Sequence, residues 1–183
     1  MYLNCKTYFS YRFGTFSTEE LVKAGAAIGA DALALTNINS TADAWDFYEF
    51  CVQAGIRPIL GAEVRNGDTF CYLLLAKNLD GFTAINRFLS EHLQAKQAFP
   101  RRPKLKAEHV WIIYGLEAAG KDALDAAGWG SPDSVGRGAT GPRALQTDDL
   151  GEHELIGVRP AEVNKLYGKN TASGKFVDRK SVV

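Results

Sequence analysis

The apolar positions of this chain change period several times, and each change marks an element. Residues 2–5 read as a short first strand. Ser17-Thr18-Glu19-Glu20 has capping-box spacing, in which Ser17 caps a helix and Glu20 reaches back to it. Behind it, Leu21, Ala24 and Ile28 recur at helical spacing and predict a helix running to Gly29. Ala32-Leu33-Ala34-Leu35-Thr36 is instead an apolar run without alternation, the pattern of a strand buried on both faces. A second helix is predicted over 42–54, with Trp45, Tyr48 and Val52 inward and Gly55 as its left-handed cap. Pro58 to Val64 reads as a strand, Asn66-Gly67 as a tight hairpin and Thr69 to Ala76 as the return strand. A third helix fits 80–95, with Phe82, Ile85, Leu89 and Leu93 inward. Val110 to Tyr114 and Leu155 to Val158 complete the strands, and Pro160 opens a short helix.

Strands that alternate with helices predict an α/β protein with a largely parallel sheet. The length suits a single domain over 1–183. Residues 115–150 interrupt the alternation. Seven of the 18 glycines fall between 115 and 141, beside Pro132 and Pro142, so this stretch is read as a flexible excursion centred on 128–143. Strand-like Val182-Val183 has nothing after it, which suggests a chain that stops inside a larger protein or an incomplete barrel.

Composition mainly excludes. A formal net charge of zero argues against a dedicated nucleic-acid module, which would be basic. Cys5, Cys51 and Cys71 fit no zinc spacing and make an odd number for a disulfide framework, so they are read as reduced and packed. The opening residues carry no signal-peptide pattern. No apolar run approaches the roughly 20 residues of a membrane helix, and the expectation is a cytoplasmic protein.

Several motifs in one order point further. They are Tyr2 to Ser10 with Tyr11-Arg12-Phe13-Gly14-Thr15, Leu33 to Asn39, Gly55 to Glu63, Ala76-Lys77-Asn78 with Gly81-Phe82, Asn86 to Leu93, and Ile156 to Leu166. Together they resemble the N-terminal PHP (polymerase and histidinol phosphatase) domain of bacterial DNA polymerase III alpha subunits. That resemblance implies a PHP-type distorted β/α barrel, TIM-like and incomplete at its C-terminus, with any chemistry at the C-terminal strand ends.

Family members with an intact site resemble phosphoesterases that bind two or three divalent metals, zinc or manganese. Their first strand ends in His-x-His; the corresponding positions here are Asn4 and Lys6. Their second ends in Thr-Asp-His or a close variant; here it is Thr36-Asn37-Ile38. Their third supplies a glutamate, and Glu63 stands there. Divalent metals need imidazoles and carboxylates. Asn4 and Asn37 are neutral, Lys6 is a cation and Ile38 offers no lone pair, so the expectation is no metal and no other cofactor. Lys6 has two readings: it pairs with Glu63 inside the former pocket, or it points to solvent.

The remaining candidates each have two readings. His92, His109 and His153 follow the motif region and are read as solvated or capping rather than ligating. Arg101, Arg102, Lys104 and Lys106 either touch a phosphate backbone or form a solvated loop, the second being preferred at zero net charge. Tyr8, Phe9, Tyr11 and Phe13 either stack bases or pack under the barrel mouth, again with the second preferred. Arg12, close to Tyr11 and Glu63, is a candidate phosphate contact. Ser10 has no histidine base nearby, so nucleophilic catalysis is not expected.

The resemblance implies the opening domain of a replicative DNA-directed DNA polymerase, a nucleotidyltransferase whose catalytic carboxylates lie outside this chain. Such a fragment would be structural, without polymerase activity or catalytic residues of its own. Its partners would be the rest of the polymerase chain and a proofreading exonuclease subunit, with DNA met only indirectly and no membrane. The alternatives are a metal-dependent phosphoesterase or 3′–5′ exonuclease of the same family, and a free-standing adaptor.

Overall fold

A computed structural model describes residues 1–116, 150–162 and 175–178. Seven strands form one sheet in sequence order: β1 (Tyr2–Cys5), β2 (Ala32–Leu35), β3 (Arg57–Asn66), β4 (Thr69–Ala76), β5 (Val110–Gly115), β6 (Glu154–Val158) and β7 (Phe176–Asp178). Three helices, α1 (Thr18–Ala27), α2 (Ala44–Gln53) and α3 (Leu79–Gln94), cover it. β1, β2 and β3 pair in parallel, as do β5, β6 and β7, while β4 is antiparallel to both neighbours. The antiparallel centre follows from the hairpin after Asn66: a two-residue loop can only send the chain back alongside itself. Its turn residues are Gly67 and Asp68, with Gly67 at φ 57°.

The sheet is strongly curled. Leu3 on β1 and Val177 on β7 line the same cavity of about 430 Å³, together with Ile59, Leu75 and Ile113. Strands are about 4.8 Å apart, so a flat sheet would separate its edges by roughly 29 Å. Strand alternation, broken in β1 by a register irregularity between Tyr2 and Cys5, then sorts the core into an inner and an outer layer. Leu3, Ala34, Leu73, Leu75 and Ile113 point into the curl. Cys5, Leu33 and Leu35 face outward beneath α1 and α2, against Leu21, Phe47 and Cys51. Ala62, Val64, Leu74 and Ile112 face outward beneath α3, against Ile85, Phe88 and Leu89. This explains why all four residues of β2 are buried.

The elements match the apolar periodicity, and the Ser17–Glu20 capping box forms, with the Ser17 amide donating to Glu20 Oε2 at 2.8 Å. The helix faces need correction. On α2 the inward residues are Phe47 and Cys51, and Trp45, Tyr48 and Val52 are exposed. The helix is apolar on two stripes, and the i, i+4 pair is the one that meets β2. On α1, Val22 and Gly25 join Leu21 inside, while Ile28 lies past the last turn and is exposed. On α3, Phe88 is buried and Leu93 is not. β7 has no counterpart in the expected strands. The 115–150 excursion, apart from its end residues, and Val182-Val183 lie outside the described residues. The cysteines are free thiols, with Cys5 and Cys51 buried; burial, and then the nearby Cys5, raises Cys51 to about 12.

Candidate functional site

The parallel pairing of β1, β2 and β3 brings their C-terminal ends side by side. Beyond β2 the chain keeps pairing: Ile38 bridges to Glu63, the Glu63 amide donates to the Asn37 carbonyl (3.0 Å), and the Asn39 amide donates to the Glu63 carbonyl (2.8 Å). Asn4, Lys6, Asn37, Ile38 and Glu63 are thus gathered at one rim of the curl.

Glu63 is the centre of this group and only 1% exposed. Lys6 Nζ lies 2.8 Å from its Oε2, and Arg65 Nε lies 2.5 Å from its Oε1. Of the two readings of Lys6, the structure therefore makes the inward one. Burial pushes the Glu63 carboxyl up, but Lys6 and then Arg65 outweigh it and hold the group below the usual carboxylate range. Lys6 Nζ also donates to Asn4 Oδ1 (2.6 Å), which accepts a further bond from Thr36 Oγ1 (3.0 Å).

Arg65 was not anticipated. It is two residues after Glu63 on one strand, so alternation alone places it on the same face. A register irregularity between Val64 and Arg65 adjusts the strand locally. Asn39 then clamps the Arg65 backbone: its Oδ1 accepts from the Arg65 amide (2.8 Å) and its Nδ2 donates to the Arg65 carbonyl (3.0 Å). Asn39 sits at φ 49°, a conformation asparagine tolerates.

Asn37 is fully buried and serves the segment after β1. Its Oδ1 accepts from the Thr7 amide (3.0 Å) and Ser10 Oγ (2.7 Å), and its Nδ2 donates to Thr7 Oγ1 (3.0 Å). Ser10 Oγ in turn accepts from the Ile38 amide (3.0 Å). Ser10 is therefore a tether between two loops. No spacing rule reveals such a tether, because Ser10 and Asn37 are 27 residues apart.

The polar atoms at these positions are already engaged. Lys6 presents an ammonium, both Glu63 oxygens already hold cations, and the Asn4 and Asn37 carbonyl oxygens are engaged. Among the described residues, no group of three or more His, Cys, Asp or Glu side chains is placed to hold a metal.

The other candidates lie elsewhere. His92 Nδ1 donates to the Phe88 carbonyl (2.8 Å), and its ring packs against Phe88 and Phe99. His109 meets Asn78 and Glu108. His153 Nδ1 is buried without a partner. Arg12 stacks over Tyr11, and the arginine that reaches Glu63 is Arg65 instead. Tyr8, Phe9, Tyr11 and Phe13 do not pack under the rim; all four are exposed. In the basic cluster, Arg101, Lys104 and Lys106 are exposed, but Arg102 is tied to β6. It grips the buried Glu154 through Nε (2.9 Å) and Nη2, alongside the Tyr114 hydroxyl (2.9 Å) and the Gly151 amide (2.7 Å).

A curled, mostly parallel α/β sheet with a polar cluster at its C-terminal strand ends defines a protein of the β/α-barrel type. The family described as PHP domain matches residues 3–128, and the chain belongs to that family. It is 32% identical over 90 residues to an error-prone DNA polymerase of Symbiobacterium thermophilum, covering 49% of this chain and 8% of that protein. It is 29% identical over 133 residues to a DNA polymerase III subunit alpha of Pseudomonas aeruginosa, covering 69% of this chain and 11% of that one. The chain therefore corresponds to about a tenth of the length of these curated relatives. Among solved structures, an amidohydrolase from Chromobacterium violaceum aligns at a TM-score of 0.42 and 20% identity, over 71% of this chain and 40% of that one. Among the described residues, no helix is long and apolar enough to cross a membrane.

Proposed function

We propose that this chain is a PHP domain in which an internal ion-pair network stands in place of the metal cluster. It acts as a structural and interaction domain at the start of a DNA polymerase III-type alpha subunit. The observation that carries this reading is the Lys6 ammonium 2.8 Å from the buried Glu63 carboxylate. A lysine there supplies in one side chain the positive charge that a buried carboxylate requires. It also occupies a position that metal-binding members of the family use for a ligand. The similarity to polymerase subunits supports the parent assignment. In that setting the domain contributes no nucleotidyl transfer itself. Its partners are the rest of the polymerase chain and a proofreading exonuclease subunit, in the cytoplasm.

Metal analysis of the purified chain, with an assay for manganese-dependent phosphodiester hydrolysis, tests the reading. The expected result is substoichiometric zinc and manganese and no hydrolysis. Tightly bound stoichiometric metal, or hydrolysis that depends on Glu63, would overturn it in favour of a working phosphoesterase or 3′–5′ exonuclease.

A further inference from the structure

The segment between β1 and α1 exposes an unusual surface. Tyr8 is 54% exposed, Phe9 46%, Tyr11 82% and Phe13 48%. Four aromatic rings within six residues, each about half exposed or more, are a patch that calls for an occupant. The segment is also held firmly. The Tyr8 amide donates to the Phe16 carbonyl (2.9 Å), and the amides of Phe13 and Gly14 both donate to the Ser10 carbonyl (2.9 Å each). Ser10 and Thr7 are pinned to Asn37 from below. Gly14 passes so close to Thr7 that a Cβ would lie 2.0 Å from its carbonyl oxygen. Arg12 is kept at φ 71°, a left-handed conformation uncommon outside glycine that persists only where the surroundings impose it. The rings are therefore displayed on a fixed scaffold.

Charge decides what the occupant is. Residues 1–18 contain Lys6 and Arg12 and no acidic residue. Arg12 lies over the Tyr11 ring at 5.7 Å, and Arg65 lies over the Phe13 ring at 4.2 Å. At the rim, the Glu63 carboxylate is buried and paired with both Lys6 and Arg65. Flat aromatic faces interleaved with arginines suit a chain of bases joined by phosphates. Bases stack on the rings and phosphates meet the guanidinium groups.

We propose that the Tyr8–Phe13 loop is a stacking platform for single-stranded nucleic acid, read through its bases and backbone without sequence preference. Tyr11 and Phe13 carry the stacking, and Arg12 carries the phosphate contact. This goes beyond the indirect contact with DNA that the family resemblance implies, and it does not depend on whether the rim binds metal.

The test is fluorescence anisotropy of the full chain with a labelled oligothymidylate of about 15 nucleotides. It is run in EDTA at about 50 mM salt and compared with an abasic oligomer of equal length. EDTA separates this experiment from any failure of the metal-free reading, which rests on metal content and hydrolysis. The expected result is tighter binding to oligothymidylate than to the abasic strand. Tyr11→Ala with Phe13→Ala should weaken it about fivefold to a hundredfold, and Tyr11→Trp should retain it. Arg12→Ala should weaken both strands and reduce the salt slope by about 0.7. Tyr11 and Arg12 are exposed, so their variants should melt at the wild-type temperature, and the loss of the Phe13 contact with Arg65 should lower the double variant only slightly. Equal affinity for the abasic strand, or unchanged binding by the double variant, would overturn the proposal. So would an absence of binding together with a self-association that the double variant removes, which would assign the rings to a protein contact.

Discussion

Glu63 and Glu154 are two buried carboxylates on one sheet, and they are neutralised in different ways. Glu63 pairs in register with Leu73, which stands beside Ile113, and so shares the inner face of the curl. Glu154 lies opposite Ile112 and bonds to Tyr114, on the outer face. Among the described residues, Glu154 receives one cation, Arg102, plus a hydroxyl and a backbone amide. Glu63 receives two cations, Lys6 and Arg65. Burial pushes both carboxyls up, and their partners hold both below the ordinary range. One acid is thus held by a single cation with neutral donors, whereas the other is held by two cations. The doubly paired acid lies at the end of the sheet where barrels of this type carry their chemistry.

The harshest way to break this comparison is Glu63→Ala. It leaves Lys6 and Arg65 facing each other, both mostly buried, and should cost about 3–5 kcal/mol in urea unfolding at neutral pH. Lys6→Met should cost less, about 1–3 kcal/mol, because Arg65 still neutralises the acid. If Lys6→Met proves as damaging as Glu63→Ala, the two cations are not redundant and the contrast with Glu154 fails. Asn37→Leu removes the anchor of Thr7 and Ser10 and should also cost about 1–3 kcal/mol, with faster hydrogen exchange at Thr7 and Ile38. Arg102→Ala should cost about 1 kcal/mol, since Arg102 is half exposed and Tyr114 and Gly151 remain on Glu154.

Acid sharpens the same contrast by the smallest step. A carboxyl depressed in the folded state contributes stability above its unfolded value, about 4.3, and loses it as pH falls through the folded value. Both glutamates follow that sign, so unfolding free energy should fall as pH drops below about 4. In Lys6→Met the Glu63 depression is smaller, so the acid loss should be smaller and should be complete at a higher pH. Denaturant titrations across pH 3 to 7 would show it, and coincident profiles for wild type and Lys6→Met would count against Lys6 as the main partner.

Much of the fold is legible along the chain because burial on a strand or helix has a period. The unbroken run at Ala32–Leu35, the return strand Thr69–Ala76 and the Ser17–Glu20 box all read directly, since each depends on neighbours in sequence. Helix faces read less well. α2 offers two apolar stripes, and only the position of β2 selects Phe47 and Cys51 over Trp45 and Tyr48.

At the rim, the identities of Asn4, Lys6, Asn37, Ile38 and Glu63 determined by themselves what ligands were on offer: one carboxylate, one ammonium, two amides and an alkyl group. That is chemistry, and it needs no coordinates. Which groups share Glu63 was decided only by the tertiary structure, because ion pairing depends on distances between strands that pair across the sheet. It brought in Arg65, with Asn39 holding its backbone in place. It also turned the aromatic residues from Tyr8 to Phe13 outward, since the bonds to Asn37 and the tight pass at Gly14 fix the loop in a course that leaves its rings exposed.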